Sequence, residues 1–133
     1  MQAIAEDSSS HIVFISDDAG MNLLYPQLLI ELRNEAAPDS HISLLYLSND
    51  RTYTFGHQIK ILSTRFPTRL IGYFESVPLQ EHLELILNTN TKKWLKVCLA
   101  LDENVQETIL SQLRYLGIKP SQITIANLTS FNS

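Results

Sequence analysis

Cysteine, glycine and basic clusters are all scarce in this chain, and each scarcity excludes something. Cys98 is the single cysteine, so no internal disulfide can form, and a reducing, cytoplasmic setting is the expectation. Met1–Ser10 is short, polar and acidic and lacks the apolar core of a secretory signal peptide. No apolar run approaches the ~20 residues of a membrane helix, so no membrane span is expected. The longest basic cluster is Lys92-Lys93 and the formal net charge is −4, which argues against nucleic acid or an anionic membrane as the partner. Glycine occurs four times, at Gly20, Gly56, Gly72 and Gly117, too sparsely to build a full glycine-rich phosphate loop. The histidines, His11, His41, His57 and His82, are scattered with no oriented partner, so no Ser-His-Asp arrangement can be read.

What is present describes an ordinary globular domain. The chain is 133 residues long, with 44% hydrophobic and 18% charged residues, enough for one domain with a real core. Residues 1–10 are expected to be a flexible segment and 11–133 one domain. Strand-like and helix-like runs alternate from there. His11–Ser16 is short, apolar and β-branched, the pattern of a central strand buried on both faces. Met21, Leu24, Leu28 and Leu32 then recur at helical spacing. Pro26 is best tolerated near a helix start, which places that start near Leu23.

The second strand is His41–Leu47, and a helix marked by Phe55, Ile59, Leu62 and Phe66 ends at Pro67. Arg69–Phe74 is the third strand. Pro78 can open another helix carrying Leu79, Leu83, Ile86 and Leu87. Trp94–Leu101 is the fourth strand, and Asp102 suits the N-cap of a last helix with Val105, Ile109, Leu113 and Leu116 as its apolar stripe. Gly117 suits a left-handed helix end, and Ile123–Ala126 is the fifth strand. Five strands separated by four helices predict an α/β three-layer sandwich, a parallel sheet with helices on both faces.

In such a sheet ligands bind beyond the carboxyl ends of the strands, where strand order reverses. The loops expected there are Ser16–Gly20 and Leu101–Asn104. A dinucleotide needs glycines and free N–H groups in the first loop, with a phosphate on the positive end of the next helix. The loop holds Gly20 and two aspartates, Asp17 and Asp18. Carboxylates at a helix start supply the favourable charge a pyrophosphate would have brought, by about 0.3–1 kcal/mol, and they repel the pyrophosphate itself. Three readings fit these aspartates: helix capping on a solvated loop, a divalent cation shared with Asp102, or a receiver-type phosphorylation site. For the last, Lys119-Pro120 matches superficially, but only Glu75 stands where an acceptor aspartate is needed.

The order of elements and three stretches of residues resemble the C-terminal NAD(P)-binding domain of the ferredoxin–NADP reductase family. The likeness runs from His11 to Leu128. Where the family has a glycine-rich turn ending in proline, this chain has Asp17-Asp18-Ala19-Gly20-Met21-Asn22-Leu23, with only the last glycine kept. Leu44-Leu45-Tyr46 and Phe55 match the family's second strand and following helix start. Leu47 replaces a glycine, however, and Asn49 an arginine, with Arg51 and Tyr53 nearby but out of register. The spacing from Val97 through Leu116-Gly117-Ile118 to Ile123 agrees without a gap, while the family's Cys-Gly-Pro is Ala100-Leu101-Asp102 here. In the family that cysteine faces the nicotinamide. The late Glu-x-Phe element falls unmatched on Ala126-Asn127-Leu128, with Phe131 as a displaced aromatic.

The resemblance implies a strand order 3-2-1-4-5, NAD(P) as the cofactor class, and Asp17, Asp18, Gly20, Asn22, Asn49, Arg51, Leu101 and Asp102 at the positions of the cofactor site. No catalytic or metal residue is assigned. The scaffold residues match and the functional ones do not, and the family's flavin-binding barrel has no counterpart before the first strand. The expected function is therefore a diverged, non-catalytic binding or interaction module, not an enzyme by itself. The alternative is the NAD(P)H-binding component of an oxidoreductase whose flavin domain lies on another chain or elsewhere in a longer protein. A flavin domain, another protein or a second copy of the chain are the expected partners.

Overall fold

The fold follows from how the central strand divides its side chains. In the computed structural model, which describes residues 11–33, 41–76, 80–88 and 95–126, β1 (His11–Asp17) is hydrogen-bonded on both edges. Alternate residues of a strand point to opposite faces. Ile12 and Phe14 enter one core, and Val13 and Ile15 the other. A strand covered on both faces reads as a near-continuous apolar run, and β1 is buried from His11 to Ser16.

β1 lies between β2 (His41–Leu47) and β4 (Leu95–Ala100), with β3 (Leu70–Glu75) outside β2 and β5 (Ile123–Ile125) outside β4. All four pairings are parallel, giving the order β3-β2-β1-β4-β5. Its reversal point falls between β1 and β4. A receiver-type domain has the order 2-1-3-4-5, so the topology removes that reading of Asp17 and Asp18.

The first core is closed by α1 (Met21–Leu32) and α2 (Gly56–Arg65), which contribute Met21, Leu24, Leu28, Leu32, Ile59 and Leu62. The second is closed by α3 (Gln80–Asn88) and α4 (Glu103–Tyr115), through Leu83, Ile86, Leu87, Ile109 and Leu113. Four helices over two faces of one sheet make the three-layer α/β sandwich read from the sequence. No helix among the described residues is long and apolar enough to cross a membrane.

Local chemistry sets where the helices begin and end. α1 starts at Met21, two residues before the expected Leu23, because Met21 is wholly buried and Leu23 and Leu24 N–H already bond the Gly20 carbonyl. Pro26 therefore sits inside the helix on its exposed side. At the other end the Arg69 guanidinium donates to the last carbonyls, Leu32 O at 2.8 Å and Glu31 O at 3.0 Å, groups a helix leaves unsatisfied.

α4 opens as the sequence predicts, with the Asp102 carboxylate accepting from Asn104 N–H at 3.2 Å. It closes on Gly117 at φ +88°. There Gly117 N–H bonds Arg114 O and Ile118 N–H bonds Leu113 O, a Schellman turn that tucks Ile118 against the second core. Pro78, Leu79, Trp94, Asn127, Leu128, Phe131 and the 1–10 segment lie outside the described residues.

Candidate functional site

A cleft of about 500 Å³ opens over the carboxyl ends of β1 and β4, at the reversal point where open parallel sheets bind ligands. The β1–α1 loop contributes Asp17, Ala19 and Gly20, and the β4–α4 loop contributes Leu101, Asp102 and Glu103. Leu23, Ala100, Gln106 and Ala126 complete it. No lysine, arginine or histidine is among these residues, while three of them carry carboxylates.

Gly20 has a structural reason to be glycine. A Cβ there would come within 1.8 Å of the Ala100 carbonyl oxygen and 2.9 Å of the Ala100 Cβ. The start of α1 thus touches the end of β4 directly, and only a glycine at this position permits the approach.

The two aspartates divide their work in opposite directions. Asp17 Oδ1 accepts from Gly20 N–H at 2.7 Å, and its Oδ2 accepts from Asp102 N–H at 2.8 Å. One carboxylate therefore clasps the β1 loop to the β4 loop across the reversal point. Asp18 turns toward β2. It accepts from the Tyr46 hydroxyl, from Thr54 N–H at 2.8 Å and from Thr54 Oγ1 at 2.6 Å. The Tyr46 oxygen in turn accepts from Phe55 N–H at 3.1 Å.

Electrostatics follow this geometry. Partial burial pushes the Asp18 carboxyl up, but the hydrogen bonds from Thr54 and Tyr46 outweigh it and hold the group below the usual carboxylate range. Tyr46 is wholly buried, and burial first, then the bond to Asp18, raises its phenol above the ordinary value. Tyr46 also packs in an aromatic group, with ring centroids 5.0 Å from Tyr53 and 5.7 Å from Phe74, distances typical of favourable aromatic pairs.

The remaining predicted site residues lie apart from the cleft lining. Asn22 is exposed on the first turn of α1, and its side-chain amide donates to Ala19 O at 3.1 Å. Asn49 and Arg51 are exposed on the β2–α2 loop. That loop is tied to itself: Ser48 Oγ donates to Asp50, and Thr52 N–H bonds both side chains, while Arg51 takes a left-handed backbone at φ +61°. Tyr53 is committed elsewhere, donating its hydroxyl to Glu75 O at 2.8 Å. Of the eight residues, the structure gathers Asp17, Gly20, Leu101 and Asp102 around one cleft and sets Asp18, Asn22, Asn49 and Arg51 outside its lining.

The cation reading required Asp17, Asp18 and Asp102 to converge. Their oxygens instead accept from N–H and O–H donors in different directions, and no group of three His, Cys, Asp or Glu among the described residues is arranged to hold a metal. Sequence reasoning also missed the Asp18–Tyr46–Thr54 cluster. Tyr46 was visible as a scaffold match, but its partner lies 28 residues earlier, and no local pattern joins them.

No protein-family profile matches the sequence, and no curated protein matches it significantly. Solved structures do. The CS-b5R domains of human Ncb5or in the NAD+ form align with a TM-score of 0.76 at 16% identity, over 89% of this chain and 37% of that one. Flavohemoglobin from Malassezia yamatoensis, with bound FAD and heme, aligns at 0.67 and 12% identity, over 95% of this chain and 33% of that one. The chain thus spans about a third of the length of either neighbour. Strand order, helix placement and these two alignments agree that the chain has the fold of the ferredoxin-reductase-like NAD(P)-binding domain.

Proposed function

We propose that this chain is a diverged nucleotide-type domain that holds no pyridine nucleotide in its reversal-point cleft and serves as a non-catalytic binding or interaction module. The observation that carries the reading is Asp17. Its carboxylate already occupies the Gly20 and Asp102 N–H groups, the kind of loop amides to which a pyrophosphate would bind. The rest of the cleft supports it. Among the described residues the lining offers no cation to a phosphate and adds the carboxylates of Asp102 and Glu103. Leu101 also fills the place where the resemblance expects a glycine.

Hydride chemistry belongs to the nicotinamide and its acceptor, while a protein supplies binding and orientation. With Ala100 where the resemblance expects the nicotinamide-facing cysteine, this chain retains little to orient such a ring. A thermal-shift titration with NADH, NADPH and ADP tests the reading. No ligand-dependent shift is expected, and saturable stabilisation at micromolar nucleotide overturns it. A second reading, the NAD(P)H-binding component of an oxidoreductase completed by a flavin domain on another chain or elsewhere in a longer protein, is favoured by the alignment with a b5R-containing structure in its NAD+ form.

A further inference from the structure

We infer that the outer edge of β3 is a self-association surface: β3 pairs antiparallel with β3 of a second copy of this chain, across a two-fold axis at Gly72, and joins two sheets into one. The inference rests on the reading of the chain as an interaction module and names its partner.

The backbone of β3 is the starting point. In the parallel ladder with β2, Ile42 N–H bonds Arg69 O and Ser48 N–H bonds Glu75 O. Successive residues of a strand direct their backbone groups to opposite edges, so Arg69, Ile71, Tyr73 and Glu75 face β2. Leu70, Gly72 and Phe74 face outward, where no further strand lies among the described residues. Leu70 N–H is taken by Phe66 O at 2.9 Å. The Leu70 carbonyl and both backbone groups of Gly72 and Phe74 are left to meet a partner strand.

Edge strands are commonly guarded by shortness, lysine or proline. β5, at the other edge, is three residues long. β3 is six residues long, reads Leu-Ile-Gly-Tyr-Phe-Glu, and carries one charge, at its end.

This sequence complements itself in the antiparallel direction. With the axis at Gly72, the two glycines exchange both ladder bonds, and Phe74 N–H of each copy meets the Leu70 carbonyl of the other. Ile71, 52% exposed, then lies opposite Tyr73 of the second copy at a non-hydrogen-bonded position, where side chains approach closest. A β-branched residue against an aromatic is a favourable cross-strand pair. At both ends Arg69 comes level with Glu75 of the other copy. Its guanidinium is held by the α1 carbonyls, so it contributes as a charge and not as a donor. Moving the axis to Tyr73 would set Ile71 against Glu75 instead. Beside the strand, His82 of α3 reaches Glu75. Leu85, one turn along the same side of that helix, is 56% exposed and adds apolar surface on the β3 side.

Sedimentation equilibrium over a range of concentrations, on the wild type, Ile71→Lys and Ile30→Lys, tests this surface. Ile30→Lys makes the same change at an exposed position of α1. The wild type and Ile30→Lys are expected to dimerise, and Ile71→Lys to do so at least about tenfold more weakly, because an edge lysine opposes strand pairing. Amide hydrogen exchange reads the pairing itself. Gly72 and Phe74 N–H should slow as concentration rises, while Ile71 and Tyr73 N–H, which face β2, stay slow throughout.

A wild type that remains monomeric at about 1 mM overturns the inference. So does a dimer whose Gly72 and Phe74 amides exchange at the monomer rate, or one that Ile71→Lys leaves as tight as Ile30→Lys does. If Ile71→Lys does not fold, the wild-type exchange at Gly72 and Phe74 decides alone. Saturable NADH binding defeats the reading of the cleft and leaves the dimer standing, whereas a monomer that binds no nucleotide defeats only this inference.

Discussion

Gly20 and His11 show how much a single position can decide here. At Gly20 the obstacle to a side chain is backbone, the Ala100 carbonyl, and backbone cannot rotate away as a flexible side chain would. Gly20→Ala is therefore expected to destabilise the fold by about 1–3 kcal/mol or more, measured by urea unfolding. His11 is 2% exposed, and its Nε2 lies 2.9 Å from Ser43 Oγ. Burial first, and the neighbouring His41 second, lower its pKa from 6.5 to about 4.

The unfolded chain then binds this proton more readily than the folded one. Stability from His11 is whole above the unfolded pKa and is lost as pH falls from 6.5 toward 4. Between about pH 7 and about pH 5 the wild type should lose on the order of 2 kcal/mol through this group. Unfolding curves at both pH values for the wild type and His11→Gln isolate it, since the carboxylates titrate alike in both. An equal pH dependence in the two proteins would show that His11 contributes nothing. Neither residue's role was legible locally. The sequence shows a lone glycine and a histidine opening a strand, and only the neighbours explain them.

At the scale of elements, the β1–α1 loop acts as a clasp between two others. Asp17 reaches the β4–α4 loop, and Asp18 reaches the start of α2 through Tyr46 and Thr54. Asp17 ends β1 and Asp18 opens the turn that follows, so the chain changes direction between them and the two consecutive acids serve opposite neighbours of the strand. Tyr46 is the buried member of this arrangement, donating to Asp18 and accepting from Phe55 N–H. Tyr46→Phe leaves both groups without that partner and is expected to cost about 1–3 kcal/mol. Hydrogen exchange should rise at Phe55 and Thr54 and stay unchanged in β4, which this cluster does not touch. Helix ends were far more legible than these loops. Asp102 and Gly117 were read correctly because capping depends on the few residues around a terminus, whereas the start of α1 was misplaced because the burial of Met21 against the sheet outweighed Pro26.

For the whole molecule, the question is whether the shared fold carries a shared activity. The chain covers only about a third of either structural neighbour, and a fold hosts many functions. If the cleft holds no pyridine nucleotide, adding a separately prepared flavin-loaded barrel domain should not raise NADH or NADPH oxidation above the rate of that domain alone. A partner-dependent rise in absorbance loss at the nicotinamide band would favour the reductase-component reading instead.

The sequence by itself determined the element order and the two-sided burial of the central strands. The five apolar runs, the helical leucine stripes and the spacing from Val97 to Ile123 are local or periodic signals that survive without coordinates. It also placed Asp17, Gly20, Leu101 and Asp102 on the two loops that flank the reversal point. Only the tertiary structure decided what the aspartates do. Capping, cation binding and phosphoacceptor chemistry all fit the same pair of acids in the sequence. The choice depended on which donors lie within hydrogen-bond reach, and, the nearby Gly20 N–H apart, those come from residues 28 to 85 positions away. Contacts of that range are set by strand order and packing, so they appear only once the chain has folded.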